Sequence, residues 1–195
     1  MILINLTETW LNKNIQGDAK IEGYAEYRSD RIGAKQGGTV IYTLEDLECD
    51  VLERHSRGNC ELIAVNIKSL NTINMVVYRP PGTNEENFSY ILEKIEGILE
   101  GMPVPEPTVI ISGDFNFPFI NWKLNQEGGC LSEIIPYNNA SDADKMQFER
   151  LDKLTKDYNL IQTVQGPTRE DKRSKSSIDL IFTNDITIFN EIDII

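Results

Sequence analysis

Apolar positions in this chain gather into short Ile- and Val-rich runs separated by polar turns, the signature of buried strands. Runs of this kind predict strands over Ile2–Thr7, Gly38–Leu44, Cys60–Lys68, Ile73–Tyr78, Thr108–Ser112, Ile178–Thr183 and Ile186–Ile194. In two longer stretches the period lengthens to that of a helix. From about Glu85 to Glu100, Phe88, Ile91, Leu92, Ile95, Ile98 and Leu99 fall on one stripe, with Asn84 as N-cap and Gly101 and Pro103 as the stop. From about Asp142 to Tyr158, Phe148, Leu151, Leu154 and Tyr158 face the core. There Ser141 is the candidate cap, and Asp144 suits the positive end of the helix dipole. Both helices read as packing elements without chemistry. Strands outnumber helices and do not alternate strictly with them, so two packed sheets with helices outside fit better than a Rossmann-like sheet.

Composition narrows the setting. At 195 residues the chain is expected to be one domain, 1–195. No apolar run approaches the roughly 18 residues of a membrane span, so no membrane partner is expected. Met1-Ile2-Leu3-Ile4 is too short for a signal core and lacks a basic leader. Cys49, Cys60 and Cys130 are widely spaced and match no metal-ligand pattern, which suggests free thiols. An intracellular protein, nuclear or cytoplasmic, is the expectation. The single histidine, His55, excludes a His-rich metal cluster and reads as part of a polar turn. The net charge of −12 argues against wrapping nucleic acid by bulk electrostatics. It is compatible with a local grip on DNA and with a carboxylate site for a hard cation.

Four blocks could carry chemistry. In Thr108-Val-Ile-Ile-Ser-Gly-Asp114-Phe-Asn116 a strand ends in a carboxylate and an amide two positions apart, which places them side by side at a sheet edge. The alternative is a strand-ending turn in which Asp and Asn bond the local backbone. In Leu6-Thr-Glu8-Thr-Trp10, Glu8 is either a hard-cation ligand or an exposed residue after an edge strand. In Val77-Tyr78-Arg79-Pro80-Pro81, Tyr78 and Arg79 would sit where a phenol and a guanidinium can bind phosphate, or form a core tyrosine beside a surface arginine. In Ser176-Ser177-Ile178-Asp179, Asp179 enters an apolar strand, where a buried carboxylate needs a partner. The loop before it, with Arg169, Lys172, Arg173 and Lys175, is either a phosphate contact or a solvated turn containing Glu170 and Asp171.

Taken in order, Thr-Glu8-Thr-Trp, Gly37-Gly-Thr-Val-Ile-Tyr, Val-Tyr78-Arg-Pro-Pro, Gly113-Asp114-Phe-Asn116 and Ser177-Ile-Asp179-Leu-Ile resemble the endonuclease/exonuclease/phosphatase superfamily over nearly the whole chain. The wording is most similar to endonuclease domains of non-LTR retrotransposons. The resemblance implies a DNase-like α/β (α+β) fold, a four-layer sandwich of two packed mixed sheets flanked by helices. It implies Mg2+ (or Mn2+) as cofactor, DNA as partner, and a larger polyprotein carrying a reverse transcriptase. Carried over, Glu8 would ligate magnesium and Tyr78 would help hold the scissile phosphate. Asp114 would orient or deprotonate the attacking water and handle the leaving group. Asn116 would bind phosphate, with Arg79, Arg169, Lys172 and Arg173 as further contacts. Asp179 resembles the aspartate that steadies the family's catalytic histidine. The family's first strand, with a metal-site asparagine, and its closing Ser-Asp-His block have no counterpart between Met1 and Ile195. An incomplete domain with impaired activity is therefore expected. The alternatives are an inactive remnant acting only in binding, or a phosphoesterase with a non-DNA substrate.

Overall fold

The computed structural model describes residues 2–11, 19–31, 37–124, 129–134, 140–170 and 174–188. In chain order the first six strands are β1 (Leu3–Thr7), β2 (Tyr24–Ser29), β3 (Thr39–Leu44), β4 (Cys49–Arg57), β5 (Cys60–Ile67) and β6 (Thr72–Tyr78). Helix α1 (Glu85–Glu100) leads to β7 (Thr108–Asp114), β8 (Ile120–Leu124) and β9 (Cys130–Ile134). Helix α2 (Asp142–Asp157) then precedes β10 (Ile161–Gln162), β11 (Arg169–Glu170), β12 (Lys175–Ser176) and β13 (Asp179–Thr183).

The strands form a small antiparallel sheet, ordered β1-β3-β2, and a large one, ordered β4-β5-β6-β7-β13-β10-β9-β8; β11 and β12 make a separate hairpin. Among the described residues only β6 and β7 run parallel, and α1 supplies the crossover that a parallel pair requires. Every residue of β6 is buried, which explains why Ile73, Met75, Val76 and Val77 are apolar: both faces of the large sheet are covered. On one face lie α1 and α2, packed through Phe88, Ile91, Leu92, Ile95, Phe148 and Leu151 against Leu62, Met75, Val77 and Ile111. On the other lies the small sheet, with Ile41 and Leu3 against Ile63, Val65, Ile67 and Val76. Both helices start as expected: Asn84 accepts from the Asn87 N–H at 2.9 Å, and Ser141 from the Asp144 N–H at 3.1 Å. Among the described residues both helices lie on the large sheet. The outer face of the small sheet is closed as well, since Val40 and Tyr42 are buried there and the Tyr42 hydroxyl donates to the Ala19 carbonyl.

The two sheets are also joined by polar side chains. Asn5 on β1 donates to Asn74 on β6 at 3.0 Å and to Ser112 on β7 at 2.9 Å, and Asn74 donates back at 2.8 Å. These bonds satisfy amides that burial would otherwise penalise, and they fix where β1 lies over β6 and β7.

Two expectations are corrected. Ile186–Ile188 forms one 3-10 turn where a strand over Ile186–Ile194 was expected, and positions 189–194 lie outside the described residues. His55 belongs to β4, where a polar turn was expected. Its Nε2 lies 2.6 Å from Glu53, and its Nδ1 lies 3.3 Å from the Tyr90 hydroxyl. No helix of the described residues is long and apolar enough to cross a membrane.

At Gly113 the backbones of β6 and β7 come into close contact. The φ of this glycine is +138°, and a Cβ there would lie 1.9 Å from the Val77 carbonyl oxygen. Both the backbone conformation and the close approach demand glycine. Gly113→Ala is predicted to lose at least about 3 kcal/mol in urea unfolding, since strain and steric overlap add. A loss below about 1 kcal/mol would show that β6 and β7 are less closely apposed.

Candidate active site

Register brings the predicted residues together. Reading across one end of the large sheet, Ser56 pairs with Glu61, Glu61 with Tyr78, Tyr78 with Asp114, and Asp114 with Asp179. Adjacent strands lie about 4.8 Å apart, so this is a continuous polar row. The row faces the small sheet: Asn74 and Tyr78 share one face of β6, Ser112 and Asp114 share one face of β7, and Asn74 and Ser112 both bond Asn5. From the opposing sheet comes Glu8, just past β1, which accepts a short hydrogen bond from the Tyr78 hydroxyl.

Glycines make the Glu8 turn possible. The Thr9 and Trp10 N–H groups donate to the Gly38 and Gly37 carbonyls at 3.3 and 2.9 Å. A Cβ at Gly38 would meet the Thr9 hydroxyl at 2.5 Å. Glu8 itself has φ +51° and Asn116 has φ +49°, a left-handed conformation uncommon outside glycine. Such strain gathers at functional sites because the surroundings over-determine it.

Burial, first, and the neighbouring charges of Asp179 and Glu8 push the Asp114 carboxyl up to about 7, against the bonds it accepts from Asn116. Partial desolvation of its carboxyl against the sheet edge, with a smaller contribution from Glu8, also raises Asp179, which bonding to Thr168 opposes. Asp179 is the exposed first residue of its strand, which corrects the expectation of a buried carboxylate. Tyr78 is raised by burial and then by its bond to Glu8, so it stays protonated and remains a donor at neutral pH.

Arg79 requires a larger correction. The expected phosphate-binding guanidinium is fully buried on the helix side. It donates through Nε to Gln147 at 2.8 Å, through Nη1 to the carbonyls of Asn116 at 3.0 Å and Phe115 at 3.3 Å, and through Nη2 to Asp144. Its own carbonyl accepts from Asn116 Nδ2 at 3.1 Å. Arg79 therefore clamps the loop that carries Asp114 and Asn116 to the start of α2, and its donors are committed there. One Asn116 N–H is committed too, although an amide has a second donor and an acceptor to offer.

Arg169 is exposed on the β11–β12 hairpin, while Lys175 pairs with Glu170 at 2.8 Å; Lys172 and Arg173 lie outside the described residues. The hairpin is anchored next to the acidic row, because the Thr168 hydroxyl accepts from the Ile178 and Asp179 N–H groups, each at 3.0 Å. The sequence reading missed a buried pair, Arg31 and the fully buried Glu61, bonded at 2.6 Å. A lone Glu within the apolar run after Cys60 was the available signal.

The arrangement suits a hard cation in kind. Glu8, Asp114 and Asp179 offer oxygen donors, and among the described residues no Lys or Arg is ion-paired with any of them. No group of three or more His, Cys, Asp or Glu among the described residues is spaced as a ready-made cage.

Comparison with known proteins decides the family. The model of the endonuclease–reverse transcriptase family matches residues 72–193, from β6 to beyond β13. The chain belongs to this family. Its fold is that of the endonuclease/exonuclease/phosphatase superfamily. A 3′ phosphatase, NExo from Neisseria, solved with a product DNA hairpin, is 15% identical with a TM-score of 0.60, over 93% of this chain and 75% of that one. An AP endonuclease from Archaeoglobus fulgidus is 15% identical with a TM-score of 0.55, over 93% of this chain and 76% of that one. The endonuclease domain of TRAS1, a telomere-specific non-LTR retrotransposon, is 21% identical with a TM-score of 0.49. The alignment takes in 83% of this endonuclease–reverse transcriptase family chain and 65% of the TRAS1 domain. No curated protein matches the sequence.

The raised Asp114 makes a prediction about stability. Its ordinary value is 3.8, so between about pH 4 and 7 the folded protein binds a proton that the unfolded chain has released. The stability associated with that proton is complete below pH 4 and is lost as the pH rises through 7. In urea unfolding with chelator, Asp114→Asn should be more stable than wild type at pH 8 by about 2–4 kcal/mol, with the gain vanishing at pH 4. An equal difference at both pH values would contradict the raised carboxyl.

Proposed function

We propose that this chain is a divalent-metal-dependent phosphodiesterase acting on DNA, the endonuclease part of a larger protein that also carries a reverse transcriptase. The observation that carries the reading is the alignment of Tyr78, Asp114 and Asp179 on three adjacent strands with Glu8 facing them. Membership of the endonuclease–reverse transcriptase family supports the same reaction class.

The roles follow from the chemistry of each group. The protonated Tyr78 hydroxyl donates to a phosphate oxygen when substrate displaces its bond to Glu8. Asp114 accepts hydrogen bonds from the Asn116 N–H at 3.0 Å, which fixes its carboxylate for orienting or deprotonating a water. Asn116 uses its remaining amide capacity on phosphate. Asp179 stands opposite Asp114 on the next strand and helps keep it basic. Arg169 on the adjoining hairpin contacts the DNA backbone, as would Lys172 and Arg173. Glu8, with help from the Asp114 side, would hold Mg2+ or Mn2+. When bound, that ion supplies charge neutralisation at the phosphoryl and leaving-group oxygens.

Nicking of supercoiled plasmid by the purified chain in magnesium tests the reading. Nicking should need the metal and fall at least about 100-fold in Asp114→Ala. Folded protein that binds DNA without nicking it would support a binding-only role. Release of phosphate from nucleotides or phospholipid headgroups in place of nicking would redirect the substrate. By calorimetry, Glu8→Ala should weaken magnesium binding more than Asp114→Ala does. Equal losses would contradict that division of roles.

A further inference from the structure

Trp10 is 55% exposed, an unusual position for the largest aromatic side chain, and its φ of +55° holds it in a strained backbone conformation. Among the described residues no ring or cation is stacked on it. Its location follows from the strands beneath. Asn5 sits over Asn74 and Ser112, and Glu8 meets Tyr78, so β1 runs in the same direction as β6 and β7 and ends at the same edge. Trp10 lies two residues beyond Glu8, its Cα at most about 7.6 Å further on. It therefore stands on the rim of the acidic row, about two nucleotide steps of reach from the Glu8–Tyr78 contact.

Among the described residues, the arginines nearest this rim already have acidic partners. Arg31 is bonded to Glu61 and Arg79 to Asp144, while Arg28 pairs with Asp30 and Glu26. With a net charge of −12, and with Arg169 on the adjoining hairpin as an exposed cation, a contact that needs no positive charge adds affinity for a nucleic acid at this edge. Base stacking on an exposed aromatic is such a contact.

We infer that Trp10 is a stacking platform for an unstacked nucleobase next to the scissile phosphodiester. The inference rests on the phosphodiesterase reading and narrows its substrate to nucleic acid with an accessible base, ahead of compact phosphate esters. Double-helical DNA would have to open a base towards Trp10, so mismatched or single-stranded sites are preferred.

The test is binding of a labelled single-stranded thymidine oligomer and of an abasic oligomer of equal length, followed by anisotropy with chelator and with magnesium. Wild type should bind the thymidine oligomer at least about tenfold more tightly than the abasic one. Trp10→Ala should erase that difference, Trp10→Phe should keep most of it, and binding of the abasic oligomer should be the same for all three. Equal melting temperatures of the three proteins exclude a folding defect. The inference is overturned if Trp10→Ala still prefers bases, if wild type binds both oligomers alike, or if it binds neither. Plasmid nicking on the same preparations separates the two readings. Trp10-dependent binding without nicking keeps the platform and removes hydrolysis, whereas nicking with Trp10-independent binding does the reverse.

Discussion

Asp114 is held, nearly buried, opposite Asp179 on the next strand and facing Glu8 from the other sheet, an arrangement that like charges resist. The surrounding structure is organised to maintain it. Gly113 lets β7 approach β6 closely enough to set Asp114 beside Tyr78. Asn5 fixes β1 over both strands so that Glu8 arrives above them. The Arg79 guanidinium ties the carbonyls of Phe115 and Asn116 to the first turns of α2. None of these contacts relieves the repulsion itself. A protonated Asp114 relieves it in the free protein, and a bound cation would relieve it in the working one.

The fate of the arginines makes the same point from the other side. Arg31 and Arg79, close to the row, are paired with Glu61 and Asp144 inside the protein and offer it no free positive charge. Arg79 is shielded by Phe117, with its guanidinium carbon 4.2 Å from the ring centroid, and so acts as an internal brace. A phosphate group approaching this edge meets a phenol, an amide and carboxylates. On the proposed reading a bound cation would make such an edge more attractive to an anion, which would couple metal and substrate binding.

How much of this was legible in the sequence depends on burial. β3, β5, β6, β7 and both helices announce themselves because covered elements must be apolar, and their predicted limits lie within a few residues of the observed ones. β4 escaped notice because it is an edge strand, and Cys-Asp-Val-Leu-Glu-Arg-His-Ser-Arg carries the charges that protect an open edge. Within the candidate site, the placement of Asp114 and Tyr78 at a sheet edge was legible because strand-ending motifs put side chains there. Their pairing with Asp179 and Glu8 depends on the register between distant strands, which no local pattern encodes. Arg79 was misjudged because charged residues are rarely fully buried, and its partners Gln147 and Asp144 lie 68 and 65 residues away. Likewise, Arg31 finds Glu61 across 30 residues and between two sheets.

The most direct test of the central claim is titration of the Asp114 carboxyl by carbon NMR in metal-free protein and again with magnesium. A value near 7 that falls when magnesium is added would show repulsion stored at this edge and released by a cation. A carboxyl that titrates near its ordinary 3.8 and ignores magnesium would contradict the account.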